Sequence, residues 1–332
     1  MSHPSTAASP PPPTPAACAP TPCGCEPATG VCAVMVTHHP GADLPLCVGS
    51  VAAQVDALVI VDNASSEADR IRLHALDHPV IELIFNTENA GVARALNQGI
   101  HRAMALGHRW ALLLDQDSRA EAAMVATLLA IHGSFPEAGR LAAIGSGFAD
   151  ARAPPVRRGA EDGPWQEVES VITSGCLLPL AVYSKVGPFR EELFIDHVDT
   201  DYCFRARAKG YRIIKTREAL MAHAIGSPTQ HRLLWMRKWT TNHAADRRYY
   251  SARNDTAMLR DYGHYPYRLW VLKGLMRSLR QCKRIALFER GKLDKMQAVM
   301  QGWWDGVRDN MGPRRGGRAR QPSLLNDSHS LS

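Results

Sequence analysis

Four short apolar runs, each closed by polar residues, frame the first third of the chain. VCAVMVTHHP begins at Val31 and is stopped by Pro40, ALVIVDNAS spans Ala57 to Ser65, VIELIFNTEN starts at Val80, and WALLLDQDS starts at Trp110. Their β-branched and aliphatic content over so few residues predicts strands. Between the third and fourth runs, Gly91 to Leu106 places Val92, Ala95, Leu96, Ile100 and Ala103 on one face at helical spacing. Strands alternating with helices predict βαβ units and a Rossmann-like, mostly parallel sheet flanked by helices. Continuous apolar strands such as ALVIV fit burial on both faces. Ligands bind such sheets outside the carboxyl ends of the strands. Thr37, Asp62 and Asp115 fall there.

The pattern changes beyond the fourth run. DARAPPVRRGAEDGPWQEV, from about 150 to 168, reads as loop, and order is expected to return at VITSGCLLPLAVYSKVG. After Ile225 the residues turn basic with helical spacing, through Arg232 to Arg253 and again from Tyr267 to Val307. The first 30 residues are rich in Pro, Ala, Ser and Thr, and the chain from Pro313 is rich in Arg, Gly and Ser; both are expected to be disordered. The expected organisation is a head over 1–30, an α/β domain over 31–225, a basic helical extension over 226–312 and a tail over 313–332.

Composition narrows the function classes. With 332 residues, 45% hydrophobic and 21% charged, the chain can bury a large core. The formal charge of +7 is uneven, because Lys and Arg dominate after Phe204. Such a balance suits nucleic acid, an anionic membrane surface or a phosphate-bearing substrate. No zinc-finger spacing, RNP-like run or helix-turn-helix signature is present, so nucleic acid is disfavoured. The N-terminus lacks a basic-then-apolar secretory pattern, and no run reaches about 18 consecutive apolar residues. A cytoplasmic protein without a membrane span is expected. The 8 cysteines are expected to be free thiols; Cys18, Cys23, Cys25 and Cys32 cluster, but their spacing fits no common zinc site.

Candidate chemistry concentrates at the strand ends. In LLLDQDS, Asp115 and Asp117 follow a buried strand and are separated by one residue. Two such carboxylates can share a divalent cation and a diphosphate, although a bare Asp-x-Asp also occurs as a solvated turn. Asp62 and Asn63 end another strand, where a carboxylate can accept from a base imide or a ribose hydroxyl. Asn89 and Gly91 stand at a helix start that favours an anion, with Asn97 two turns along. ELFIDHVDTDYCFRARAKG carries Asp196, Asp199 and Asp201. A carboxylate there can act as general base toward an acceptor hydroxyl, or can simply complement a helix dipole. A helix from Asp199 to Arg207 would turn Phe204 inward and Arg205 and Lys209 outward. His223, after an apolar run, reads as a core histidine unless it completes a cation site. RRYYSARN (Arg247 to Asn254) and RSLRQCKR (Arg277 to Arg284) read as solvated faces, as stems covering apolar surface, or as helices on anionic lipid. Trp270, Trp303 and Trp304 suit an interfacial position.

Taken in order, VMVTHHP, VIVDNAS, NAGVARALNQGI, LLLDQDS, SGCLLPLAVYSKVGPFREELFIDHVDTDYCFRARAKG and AHAIG resemble the family 2 glycosyltransferases, most closely a bacterial rhamnosyltransferase branch. Within it, DQDS, ELFIDHVDTDY, RYYSARN and ERGKLDKMQ…GWWDG resemble the rhamnolipid-forming second rhamnosyltransferases. The resemblance runs from about Val31 to Arg308. It implies a GT-A fold with a donor half over 31–120 and an acceptor half over 165–225. It also implies an inverting, metal-dependent enzyme using dTDP-L-rhamnose and Mg²⁺ or Mn²⁺, converting a mono-rhamnolipid to a di-rhamnolipid at the cytoplasmic face of the inner membrane. Carried over by position, Thr37, Asp62, Asn63, Asn89, Gly91 and Asn97 form the nucleotide rim, and Asp115 faces the diphosphate. Asp117 and His223 bind metal, Gly175 lies beneath the sugar, Asp199 is the base, and Asp196 and Asp201 shape the acceptor side. Val198 stands where some relatives carry a second acidic residue. Two other readings stay open: the same donor with a lipid-linked O-antigen or polysaccharide acceptor, and a non-catalytic nucleotide-sugar or lipid-binding module.

Overall fold

The computed structural model describes residues 30–149, 163–223, 229–233, 236–240, 243–264 and 266–314. The expected disordered head, most of the expected loop and nearly all of the tail lie outside these residues.

The four apolar runs form β1 (Val31–Thr37), β2 (Ala57–Asp62), β3 (Ile81–Phe85) and β4 (Trp110–Asp115). They pair in parallel in the order β3-β2-β1-β4, with Thr37 level with Asp62 and Val36 level with Asp115. That register brings the three polar strand ends to one rim. The strands are fully apolar because both faces are covered. One core packs α1 (Leu44–Ala52), α2 (Glu67–His74) and α4 (Met124–Ser134) against the sheet, and the opposite core packs α3 (Val92–Ala105), α5 (Leu180–Val186) and α6 (Val198–Ala208). Cys32, in the strand β1, is buried in the second of these cores, and burial pushes its thiol up to about 12. It is therefore a core residue.

Across β4 the sheet becomes mixed. β8 (Cys176–Pro179) runs antiparallel to β4 and to β6 (Leu141–Ala149), which is parallel to the long β9 (Arg212–His223). Two short strands, β5 (Ser118–Ala120) and β7 (Trp165–Glu167), pair antiparallel with β9, and β7 lies inside the stretch expected to be loop. Among the described residues the main sheet has nine strands.

The expected helix from Gly91 to Leu106 is α3, with Gly91 and Leu106 as its caps. It buries Ala95, Leu96, Ile100 and Ala103 as the spacing predicts, and leaves Val92 half-buried. In α6, Phe204 is buried and Lys209 is exposed just past the helix end, while Arg205 is half-buried.

The C-terminal region departs from expectation at its start. Where a helix is expected from Arg232, β10 (Thr229–Leu233) and β11 (Met236–Thr240) form an antiparallel hairpin, with Thr229 opposite Thr240 and Leu233 opposite Met236. A run of basic residues carries no period of its own, so charge alone does not separate strand from helix there. Then follow α7 (Ala245–Tyr262), α8 (Arg268–Phe288) and α9 (Lys292–Val307). α9 lies unusually close to α7: a Cβ on Gly302 would stand 2.3 Å from the Tyr249 carbonyl oxygen, and one on Gly306 2.6 Å from that of Arg253. No described helix is long and apolar enough to cross a membrane.

Candidate active site

The strand-end rim opens onto a cleft of about 380 Å³ lined by Asn63, Asn89, Gly91, Asp115 and Asp117 from the rim and by Asp196 and Asp199 from the segment that enters α6. Its walls are set by local chemistry. Asp62, buried at the end of β2, accepts from the Ser65 backbone N–H at 3.0 Å and from the Ser65 and Thr37 hydroxyls. These bonds close the turn after β2 and leave Asn63 at its corner. Asn63 in turn accepts from the Ala90 N–H at 3.0 Å and donates to Asn89 Oδ1 at 2.9 Å, while Asn89 accepts from the Gly91 N–H at 3.0 Å. The start of α3 is thereby tied to the end of β2. Gly91 has φ +84°, and a Cβ on it would lie 2.7 Å from the Phe194 carbonyl oxygen, so no other residue fits without movement.

The second wall, formed by the segment that enters α6, is a backbone under strain. Phe194, Asp196 and His197 all have positive φ, near +65°. The segment is held there from α7. Asn254, fully buried, donates through Nδ2 to the carbonyls of Leu193, Ile195 and Asp196 at 2.9, 2.7 and 3.0 Å. Arg253, also fully buried, donates to those of Glu192, Leu193 and Gly312. The strained turn ends at α6, whose first turn carries Asp199 into the cleft. Burial raises the Asp199 carboxyl above the usual range, and the Thr200 N–H bonded to it at 2.7 Å offsets part of that rise. A carboxylate poised this way favours holding a proton more than an exposed aspartate does, as a general base requires. Beside it, burial pulls the His197 imidazole down, but the Asp255 carboxylate at 2.9 Å outweighs this and the net shift is upward.

Not every residue expected in the site reaches it. Thr37 and Asp62 are buried beneath the rim and bond to each other rather than facing the cleft. Asn97 is turned to the other side of α3, where it bonds the Tyr183 hydroxyl and both the N–H and carbonyl of Phe189, fixing the segment that leads to the strained turn. Asp201 is fully buried and taken up by Arg205 at 2.8 Å, the Tyr262 hydroxyl at 2.8 Å and Arg190 at 3.4 Å, so it braces α6 and does not border the acceptor side. Gly175, with φ +75°, packs against Ser146, Met221 and Met124 below the cleft floor that Ile172 and Thr173 form. His223 lies opposite Ser118 in the β5–β9 ladder, one residue along from the partner level of Asp117; its side chain lies outside the described residues.

Other residues also line or brace the cleft: His38 and Gln116, not singled out from sequence, and Arg247, named there only as the start of a basic segment. His38 lines the cleft and is clamped by Gln116, the middle residue of the Asp-Gln-Asp run, which accepts from the His38 N–H at 2.8 Å. Burial lowers the His38 imidazole below its ordinary value. Arg247 reaches in from α7 to Asp196 at 3.1 Å. The only cue to these was position, His38 one residue beyond a strand end and Gln116 between two carboxylates.

The first basic segment is largely interior, whereas in the second Arg280, Lys283 and Arg284 are exposed. Arg248 is buried and paired with Glu289, which also holds Lys295 at 2.9 Å. Trp270 stacks edge-on against Phe204 and His197, and Trp303 is half-buried, whereas Trp304 is exposed beneath Arg308.

Residues 32–155, which hold β1 to β6 and this rim, match the model of the glycosyl transferase family 2. The protein is a GT-A glycosyltransferase. The dTDP-rhamnosyl transferase RfbF of Shigella flexneri is 27% identical over 308 residues, covering 87% of this glycosyltransferase and 98% of that protein. The S. aureus TarS 1-349 crystal structure superposes with a TM-score of 0.51 at 13% identity, covering 84% of this chain and 81% of that one, which supports the fold alone. Glycosyl transfer suits the geometry: a leaving diphosphate needs countercharge on one wall, and an acceptor needs a base on the other. As to that countercharge, no group of three His, Cys, Asp or Glu side chains that could hold a metal occurs among the described residues. Two carboxylates at the end of β4 nonetheless fit a hard divalent cation that takes its remaining ligands from a diphosphate and water.

Proposed function

We propose that this glycosyltransferase moves L-rhamnose from dTDP-L-rhamnose to a hydroxyl of a mono-rhamnolipid, with inversion, giving a di-rhamnolipid. The observation that carries the reading is Asp199, a carboxyl with a raised pKa that lines the same cleft as Asp115 and Asp117. The donor is supported by the similarity to a dTDP-rhamnosyl transferase along nearly that protein's whole length. The acceptor rests on the motif resemblance at ELFIDHVDTDY, RYYSARN and GWWDG.

Asn63, Asn89 and the α3 N-terminus at Gly91 receive the nucleotide, and Asp115 borders its diphosphate. Asp117, with His223 on the adjacent strand, is the site for Mg²⁺ or Mn²⁺, which when bound neutralises the phosphate oxygens of the leaving group. On the second wall Asp199 takes the proton of the acceptor hydroxyl. The acceptor oxygen forms its bond to the anomeric carbon as the bond to the diphosphate breaks, and the electron pair leaves with dTDP. Asp199 is the sole base in this scheme, and the single displacement turns a β-linked donor into an α-linked product. Holding hydroxyl, base and leaving group in line can be worth several kcal/mol, and the strained turn clamped by Asn254 and Arg253 supplies that alignment. With an amphiphilic acceptor, the enzyme works peripherally at the cytoplasmic face of the inner membrane.

The test is product analysis by mass spectrometry, with purified protein, dTDP-L-rhamnose, mono-rhamnolipid and Mg²⁺ or Mn²⁺. Di-rhamnolipid that disappears with EDTA is the expected result. Product formed only with undecaprenyl-linked sugars would replace the acceptor with a lipid-linked polysaccharide.

A further inference from the structure

Asp196, His197, Asp199 and Arg247 line not only the cleft but also a second, larger cavity of about 660 Å³ between α6, α7 and α8. Most charges in that cavity cancel in pairs: Arg247 with Asp196 at 3.1 Å, His197 with Asp255 at 2.9 Å, and Arg248 with Glu289. What is left is polarised. Asp199 stands at the end shared with the cleft, and Arg280 and Arg284, one turn apart on α8, stand on the α8 wall. Both arginines are exposed, and among the described residues neither has an ion-pair partner.

The position of these arginines on α8 adds a second observation. The inner face of the helix carries the buried Ser278 and Ile285, and its outer face carries Leu269, Leu272, Met276, Leu279 and Leu287, all 40–71% exposed. At about 100° per residue, Arg280 and Arg284 fall between these two faces. The cavity thus holds a base at one end and two unpaired guanidinium groups on its α8 wall, and those groups sit at the edge of the exposed apolar stripe of α8.

We propose that this cavity is the acceptor site and that it selects an anionic amphiphile. The acceptor's carboxylate or phosphate is held by Arg280 and Arg284, its hydroxyl lies at Asp199, and its aliphatic chains run onto the α8 stripe. The inference rests on the proposed transfer for the role of Asp199. It adds the charge that the acceptor must carry and the residues that read it. Arginine suits the task because its planar fork donates two parallel hydrogen bonds to either oxyanion.

The test is equilibrium binding to the full chain of mono-rhamnolipid as the free acid, its neutral methyl ester, and decyl phosphate. The wild type and an Arg280→Gln/Arg284→Gln variant are compared, and both substitutions lie on exposed positions. The free acid should bind at least roughly ten-fold tighter than the ester, the scale of one charge-assisted contact. The double variant should bind the two alike. Equal binding of acid and ester by the wild type, with decyl phosphate no better, would overturn the anchor, as would a variant that keeps the preference. Tight binding of decyl phosphate without a preference for the acid would keep the anchor and assign it to a phosphate-linked acceptor. An acid preference that depends on the arginines, with no rhamnose transferred, would leave the anchor standing and reject the proposed transfer instead.

Discussion

The two walls of the cleft are built on opposite principles. The donor wall is a product of strand register: three parallel strands end level, and His38, Asn63 and Asp115, at or just past those ends, line the cleft. The acceptor wall is held from a distance. Its strained turn at 194–197 keeps its shape because Arg253 and Asn254, about sixty residues later in the chain, take up carbonyls in and just before it, from Glu192 to Asp196. One wall therefore rests on sheet register and the other on side chains reaching back from a later helix, and substitutions should separate them.

The largest effect should come from the donor wall without loss of fold. Asp117→Ala removes a half-buried carboxylate from the cleft, and its catalytic cost should be several kcal/mol of transition-state stabilisation, roughly a thousand-fold in rate. Thermal unfolding should be nearly unchanged. A large drop in midpoint alongside the rate would show that this wall too is structural.

Asn254→Ala should do the reverse. It takes the side-chain donor from the Ile195 and Asp196 carbonyls, while Leu193 keeps Arg253, and this should cost about 1–3 kcal/mol of stability. The rate should fall with it, because the turn that presents Asp196 and Asp199 is released. Urea denaturation and steady-state kinetics on the same preparation would show whether the two losses travel together. Gly302→Ala should cost about 1–3 kcal/mol by forcing α9 off α7, with a smaller effect on rate because the glycine touches the clamp only from behind.

The same contrast decides what could be read from the chain alone. The strands, α3, the rim position of Asp115 and the inward Phe204 were legible, because burial on a sheet or helix leaves a period in the residues that form it. Thr37, Asp62, Asn97 and Asp201 were placed in the site for being polar in the right motifs. In the fold they are buried and bonded to protein, and sequence does not distinguish a polar residue that faces a ligand from one that holds its neighbours. The C-terminal region was least legible. Arg248, Arg253, Asn254, Glu289 and Lys295 are buried there, so a polar face is also a packed face. Hydrophobic period fails where helices are joined by ion pairs and by glycine contacts. The β10–β11 hairpin was missed for a related reason, since its basic residues suit either element.

The smallest predicted effect concerns the pair behind the strained turn. His197 has a raised pKa, so the His197–Asp255 pair contributes stability that is complete below the ordinary histidine value of 6.5 and lost as pH rises through the raised one. Asp255→Asn should therefore destabilise the protein more at pH about 5.5 than at pH about 9, by about 1 kcal/mol or less. Chemical denaturation at the two values checks the sign. An equal loss at both would mean that the pair is not charged.

The most direct test of the account is the rate and stability of Asp199→Asn measured together. The asparagine keeps the shape and the Thr200 hydrogen bond but cannot take a proton. The rate should fall about 10²–10⁴-fold with donor affinity preserved. Stability at neutral pH should hold or rise, since a carboxyl whose pKa is raised by burial is a charge the fold carries at a cost. Unaltered turnover would contradict the assignment of the base, and with it the claim that the strained acceptor wall exists to present that carboxylate.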